Sequence, residues 1–191
     1  MDEPVMSAPA PGPTAVGPGR PEETTVQITD SYTYPASLER IGQMFADPQY
    51  TRSRLDVPGV IDPQVDVVEE QGTLTLRVKA SVDTSLLPSA AQRFVRSGLS
   101  LTITETWAPA QGNTRRGTTE VQVHGAPVSL RAVSVLTGST ESTTRAVNAD
   151  LSVSIPLVGR RVEQQAAGKV RSLFARELEA ARSWLEAHPA Q

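Results

Sequence analysis

The sequence has no cysteine in 191 residues. That excludes disulfides, thiolate metal ligands and cysteine nucleophiles together. Histidine is nearly absent too, with only His124 and His188. An ordinary metal site takes three or four ligands, so neither a metal nor another cofactor is expected. Aromatic residues make up just 4%, and no apolar run approaches the ~18 to 20 residues of a membrane-spanning helix. The opening residues lack the basic start and apolar stretch of a secretory signal, which makes a cytoplasmic setting the expectation. No charge sign dominates, since 18 Lys and Arg against 21 Asp and Glu leave −3. The longest basic runs are the doublets Arg115-Arg116 and Arg160-Arg161, so nucleic acid and anionic membrane are not indicated as partners. Gly-x-Ser-x-Gly, Gly-x-Gly-x-x-Gly and phosphate-loop motifs are missing as well.

What is present divides the chain in two. Residues 1–23 hold six prolines and three glycines, too little apolar surface to offset the entropy of ordering. A disordered tail is expected there, and Pro9-Ala10-Pro11-Gly12-Pro13 is a candidate polyproline ligand for a protein partner. Residues 24–191 are long enough for one good core and too short for two ordinary ones.

Within that second part the hydrophobic period changes several times. Val26, Ile28, Tyr32 and Tyr34 alternate with polar residues as in a half-buried strand. Ser37 then stands as a helix N-cap, and Asp47-Pro48 closes that helix and opens a second, to about Leu55. Six further strands follow at about 61–70, 73–82, 99–108, 114–124, 127–137 and 142–155, with turn residues between them and a short helix at 88–97. Short links favour antiparallel pairing. The strongest signal closes the chain: from Gly159 to Ala187, residues Val162, Ala166, Val170, Leu173, Phe174, Leu178, Ala181 and Leu185 recur at helical spacing. About 28 residues at ~1.5 Å each make a rod of ~42 Å, enough to cross a sheet. The fold expected is α+β of the helix-grip type: a seven-stranded antiparallel sheet curved around the long C-terminal helix, with two short helices after strand 1. A sheet curled around one helix leaves either a cavity or a close-packed seam.

Three stretches carry a family resemblance: Tyr34-Pro35-Ala36-Ser37, then Leu86-Leu87-Pro88 with Leu99 to Trp107, and Ile155-Pro156-Leu157-Val158-Gly159 before Val162-Glu163. Over roughly residues 25 to 188 the chain resembles the START-like superfamily, and within it an uncharacterised actinobacterial family. The resemblance implies a deep ligand cavity under the last helix. It implies no reaction, because this fold serves lipid carriers, hormone receptors and cyclases alike.

Candidate chemistry is sparse. Alternation places His124 opposite Val121 and Val123, towards solvent. Asp62 and Asp66, four residues apart in one strand, would lie ~13 Å from each other, beyond the ~5 to 9.5 Å of a glycosidase pair. Polar residues that interrupt apolar faces are more informative. Asp30 shares a face with Ile28 and Tyr32, Glu105 with Ile103 and Trp107, and Arg145 with Val147. Such charges stand at strand ends near solvent, or they line a pocket. The candidate cavity lining is Tyr32, Tyr34, Leu101, Ile103, Glu105, Trp107, Val121, Val123, Val170 and Phe174. The function expected is binding or carrying a hydrophobic or aromatic small molecule or lipid. The alternatives are a protein-interaction scaffold, and a polyketide cyclase or aromatase using Glu105 or Asp30 as acid and base.

Overall fold

A computed structural model describes residues 24–86, 92, 95, 98–126, 128–153 and 160–189. The Pro-rich tail, and nearly all of the helix expected at 88–97, lie outside the described residues. Strand β1 (Thr24–Tyr34) leads into helices α1 (Leu38–Ala46) and α2 (Pro48–Arg54). Strands β2 (Val60–Glu70), β3 (Thr73–Val82), β4 (Leu99–Trp107), β5 (Thr114–His124), β6 (Val128–Gly138) and β7 (Thr143–Val153) follow, and helix α3 (Arg160–Ala187) closes the order.

Local chemistry accounts for the ends of these elements. The Ser37 side chain accepts a bond from the Arg40 N–H at 3.3 Å. Asp47 does the same for Gln49 at 2.8 Å, with Pro48 in the first helical turn. Each thereby satisfies a backbone donor that a helix start leaves orphaned. Between β2 and β3, Gln71 and Gly72 both take positive φ (50° and 78°), the backbone of a two-residue hairpin that twists with its strands. Near the start of β2 the ladder slips between Ile61 and Gln64, at Asp62-Pro63. Asp62 therefore lies within a bulge and Asp66 beyond it, both exposed, and a single alternation does not relate them.

The sheet is antiparallel throughout, in the order β1-β7-β6-β5-β4-β3-β2. Helix α3 lies against one face and α1 and α2 against one end of that face, which is the helix-grip architecture. Two apolar clusters fill the space between. One gathers Ile28, Leu99, Ala132, Val147, Ala149 and Leu151, with Val170 and Phe174 from α3. The other gathers Tyr34, Phe45, Tyr50, Leu76, Trp107 and Leu136, with Ala181 from the later turns of α3. Leu173 departs from the expected stripe: it is 50% exposed, because its position lies one residue off the Val170-Phe174-Ala181 face. Among the described residues no helix is long and apolar enough to cross a membrane.

Candidate functional site

The register sorts the helix-facing side chains into rows running across the sheet. One row runs Leu151, Leu130, Val121, Ile103, Val78. The next runs Val128, Val123, Leu101, Ala80. Both are wholly apolar. In their middle, on the central strands, Leu101, Ile103, Val121, Val123 and Leu130 are only half-buried, as are Tyr32, Val170 and Phe174. An adjoining row carries the short side chains of Ala149, Ala132 and Thr119 before it reaches Glu105. At the other end of the same face Tyr34, Leu136, Trp107 and Leu74 are 0 to 1% exposed. The helix-facing side is thus closed at one end and accessible in an apolar patch at the other.

Between the two ends lies a buried ionic cluster. The Glu105 Oε1 accepts from Trp107 Nε1 at 3.0 Å and from Arg145 Nη2 at 3.3 Å, and its Oε2 accepts from Arg54 Nη2 at 3.1 Å. Arg145 also donates through Nη1 to Glu177 Oε1 at 2.5 Å and through Nε to Ser134 Oγ at 3.2 Å. The Tyr34 hydroxyl donates to that same Glu177 oxygen at 3.0 Å, and Arg54 Nη1 stands 3.6 Å from it. Four charges from α2, β4, β7 and α3 thus meet as two matched pairs. Arg145 also lies over the Trp107 and Phe45 rings at 5.0 and 5.9 Å, a cation–π setting that helps hold a desolvated guanidinium.

Burial by itself would raise the Glu105 pKa. Arg54 and Arg145, with hydrogen bonds from Arg54 and Trp107, reverse the sign and hold it below the usual 4.5. Burial likewise opposes the charge on both arginines, and the two carboxylates more than offset it. Tyr32, Tyr34 and Tyr50 are all pushed upwards, by burial first and the Glu177 carboxylate second. A carboxylate with donors on both oxygens and a depressed pKa is a poor general acid. Glu105 is instead an anchor for two cations.

The expected lining residues fall into two groups. Leu101, Ile103, Val121, Val123, Val170, Phe174 and Tyr32 border the accessible patch. Tyr34, Glu105 and Trp107 face the same side but are 0%, 3% and 1% exposed, and so form the packed wall behind it. Trp107 is enclosed because its register partner on β5 is Gly117, over which the indole lies. Asp30 does share the helix-facing side, next to Val147. Its carboxylate turns to accept the N–H of Ser31 at 2.8 Å, on the outermost strand of the sheet. An inward-pointing charge there also discourages pairing with another chain. Exposed His124 lies 3.2 Å through its Nε2 from the Thr102 hydroxyl. Sequence reasoning missed Arg54, Ser134 and Glu177. Glu177 was legible, three residues after Phe174 and four before Ala181 on the buried stripe. Nothing in its local pattern singles out Arg54.

A family model matches residues 29–185, described as Protein of unknown function (DUF2505). The chain belongs to that family. Its fold is START-like. The norcoclaurine synthase of Thalictrum flavum, solved with dopamine and hydroxybenzaldehyde, superposes at a TM-score of 0.54 with 11% identity, covering 95% of this chain and 100% of that one. The protein TTHA0849 from Thermus thermophilus gives 0.54 and 16% over 86% and 100%. A START superfamily protein from Mycobacterium smegmatis gives 0.52 and 17% over 83% and 98%. At these identities the likeness is one of fold. No curated protein matches the chain.

Proposed function

We propose that this DUF2505 member binds an apolar or aromatic small molecule in a chamber between α3 and the central strands, and carries or sequesters it without chemical change. One observation supports this most directly: on the central strands, facing the helix, Leu101, Ile103, Val121, Val123 and Leu130 keep accessible surface. The middle of a sheet face covered by a helix is where full burial is expected if the two simply pack. The START-like fold points the same way, since the synthase of this fold was solved with two small aromatics. Carriage is preferred over catalysis because the one carboxylate on β4 is tied to Trp107 and two arginines.

Val121→Phe tests the chamber. A larger ring in free space should leave urea stability unchanged and abolish binding of an environment-sensitive apolar dye. If α3 closes on the sheet, the same substitution overpacks the core and costs ~1 to 3 kcal/mol, and the proposal fails. Where the chamber holds, native mass spectrometry of freshly purified protein identifies a retained ligand.

A further inference from the structure

The ligand's polar end can be deduced from how the ionic cluster is connected, an argument that rests on the chamber proposed above. Three contacts converge on one Glu177 oxygen, Oε1: Arg145, Arg54 and the Tyr34 hydroxyl. Oε2 takes none of them. Nor is it among the buried side-chain atoms left without a partner, which are Tyr32 Oη, Tyr50 Oη and Thr51 Oγ1, so Oε2 keeps accessible surface. The side chain as a whole is 11% accessible, against 5% for Glu105 and 4% for Arg145.

Direction follows from helix geometry. Helical side chains lean back towards the N-terminus, so Glu177 on α3 leans towards the turn of Phe174. The Phe174 ring lies 6.2 Å from that of Tyr32, and both rings border the apolar patch. Charge follows from counting. Glu105 and Glu177 balance Arg54 and Arg145, so the cluster is neutral as it stands. A cationic ligand group beside Oε2 would leave one buried positive charge in excess, and an anionic one would meet a carboxylate whose two neighbouring guanidiniums, Arg54 and Arg145, are already matched by Glu105 and Glu177. A neutral donor preserves the balance.

We infer that Glu177 is the polar anchor of the chamber and that its ligand is an uncharged apolar molecule donating one hydrogen bond, an alcohol or a phenol. Four naphthalene probes of nearly equal size separate the possibilities: 2-naphthol, 2-methoxynaphthalene, 2-naphthoate and 2-naphthylmethylammonium, each titrated at neutral pH against the full chain. The naphthol should bind about tenfold more tightly than the methoxy compound, the worth of one hydrogen bond to a charged acceptor, and both ions should bind more weakly still. Equal affinity for naphthol and methoxynaphthalene, or a preference for either ion, overturns the inference while leaving the chamber standing. Failure of all four to bind overturns both.

Glu177→Gln removes the acceptor charge and leaves the cluster with one net positive charge. It should erase the naphthol preference and admit the naphthoate. If that variant does not fold, carbon NMR of the wild-type carboxyls serves instead. The Glu177 Cδ should shift on adding naphthol and stay put on adding the methoxy compound, and an unmoved Cδ rules the anchor out.

Discussion

Gly117→Ala should be unusually costly for so small a change. In a strand with room for a side chain, replacing glycine by alanine is worth ~0.5 to 1 kcal/mol of added stability. Here a Cβ would stand 2.4 Å from Cε3, 2.6 Å from Cδ2 and 2.8 Å from Cζ3 of Trp107. Carbon atoms rest at ~3.5 to 4.0 Å, so the indole must retreat by about an ångström. It has nowhere to go. Trp107 is 1% exposed, its ring centroid is 5.2 Å from that of Phe45, and its N–H is bonded to Glu105. Overpacking costs ~1 to 3 kcal/mol, and a strained or lost bond to a charged acceptor adds up to ~1.5 to 3. A loss of ~2 to 5 kcal/mol is therefore expected, against a typical total of ~5 to 15. Urea unfolding reads it directly, and Tm should fall by ~2 to 4 °C per kcal/mol. In the double variant Gly117→Ala with Trp107→Leu, the two costs should be strongly non-additive, because the smaller side chain makes room for the new methyl. Gly117→Ala within ~0.5 kcal/mol of wild type would refute the packing of the indole over β5, and with it the placement of Glu105.

Three other outcomes follow from the same geometry. The chain has three tyrosines, and all three titrate above their usual value of 10. Raised phenol pKa values contribute stability that is intact below pH 10 and lost above it, so tyrosinate absorbance at alkaline pH should appear only together with loss of tertiary circular dichroism. Ionisation of any tyrosine in the folded state near pH 10 would contradict the burial. Glu105 is depressed instead, so its contribution is present above 4.5 and lost as the pH falls through its lower folded value. Glu105→Gln should cost ~3 to 5 kcal/mol at neutral pH and flatten the acid limb of a stability–pH curve; an unchanged acid limb would argue against the arginine contacts. Leu173→Ala should leave stability within ~0.5 kcal/mol, whereas Phe174→Ala should cost more, yet less than the ~3 to 5 of a fully buried ring. Dye binding should respond to Phe174→Ala alone, and the reverse ranking would put the wrong face of α3 against the sheet.

Backbone architecture was readable from residue order because its causes are local. Alternation in β3 to β7, the caps Ser37 and Asp47, the hairpin pair Gln71-Gly72 and the long stripe of α3 each act within a few residues of chain. Faces followed too: once a strand's period is known, Glu105 and Arg145 must point the same way as Ile103 and Val147. Alternation could not say how deeply each side chain would be covered. Tyr34, Trp107 and the central Ile103 look alike in the sequence, yet the first two are sealed and the third is not. Burial depends on what α1, α2 and α3 place above each row, and those helices arrive from distant parts of the chain. The cluster itself shows this most clearly. Arg54 and Glu105 are 51 residues apart in the chain, and Tyr34 and Glu177 are 143 apart. A charge facing an apolar interior is costly until its partner arrives, so the sequence could mark Glu105 and Arg145 as misfits, and only the tertiary fold could supply the opposite charges that make them a site.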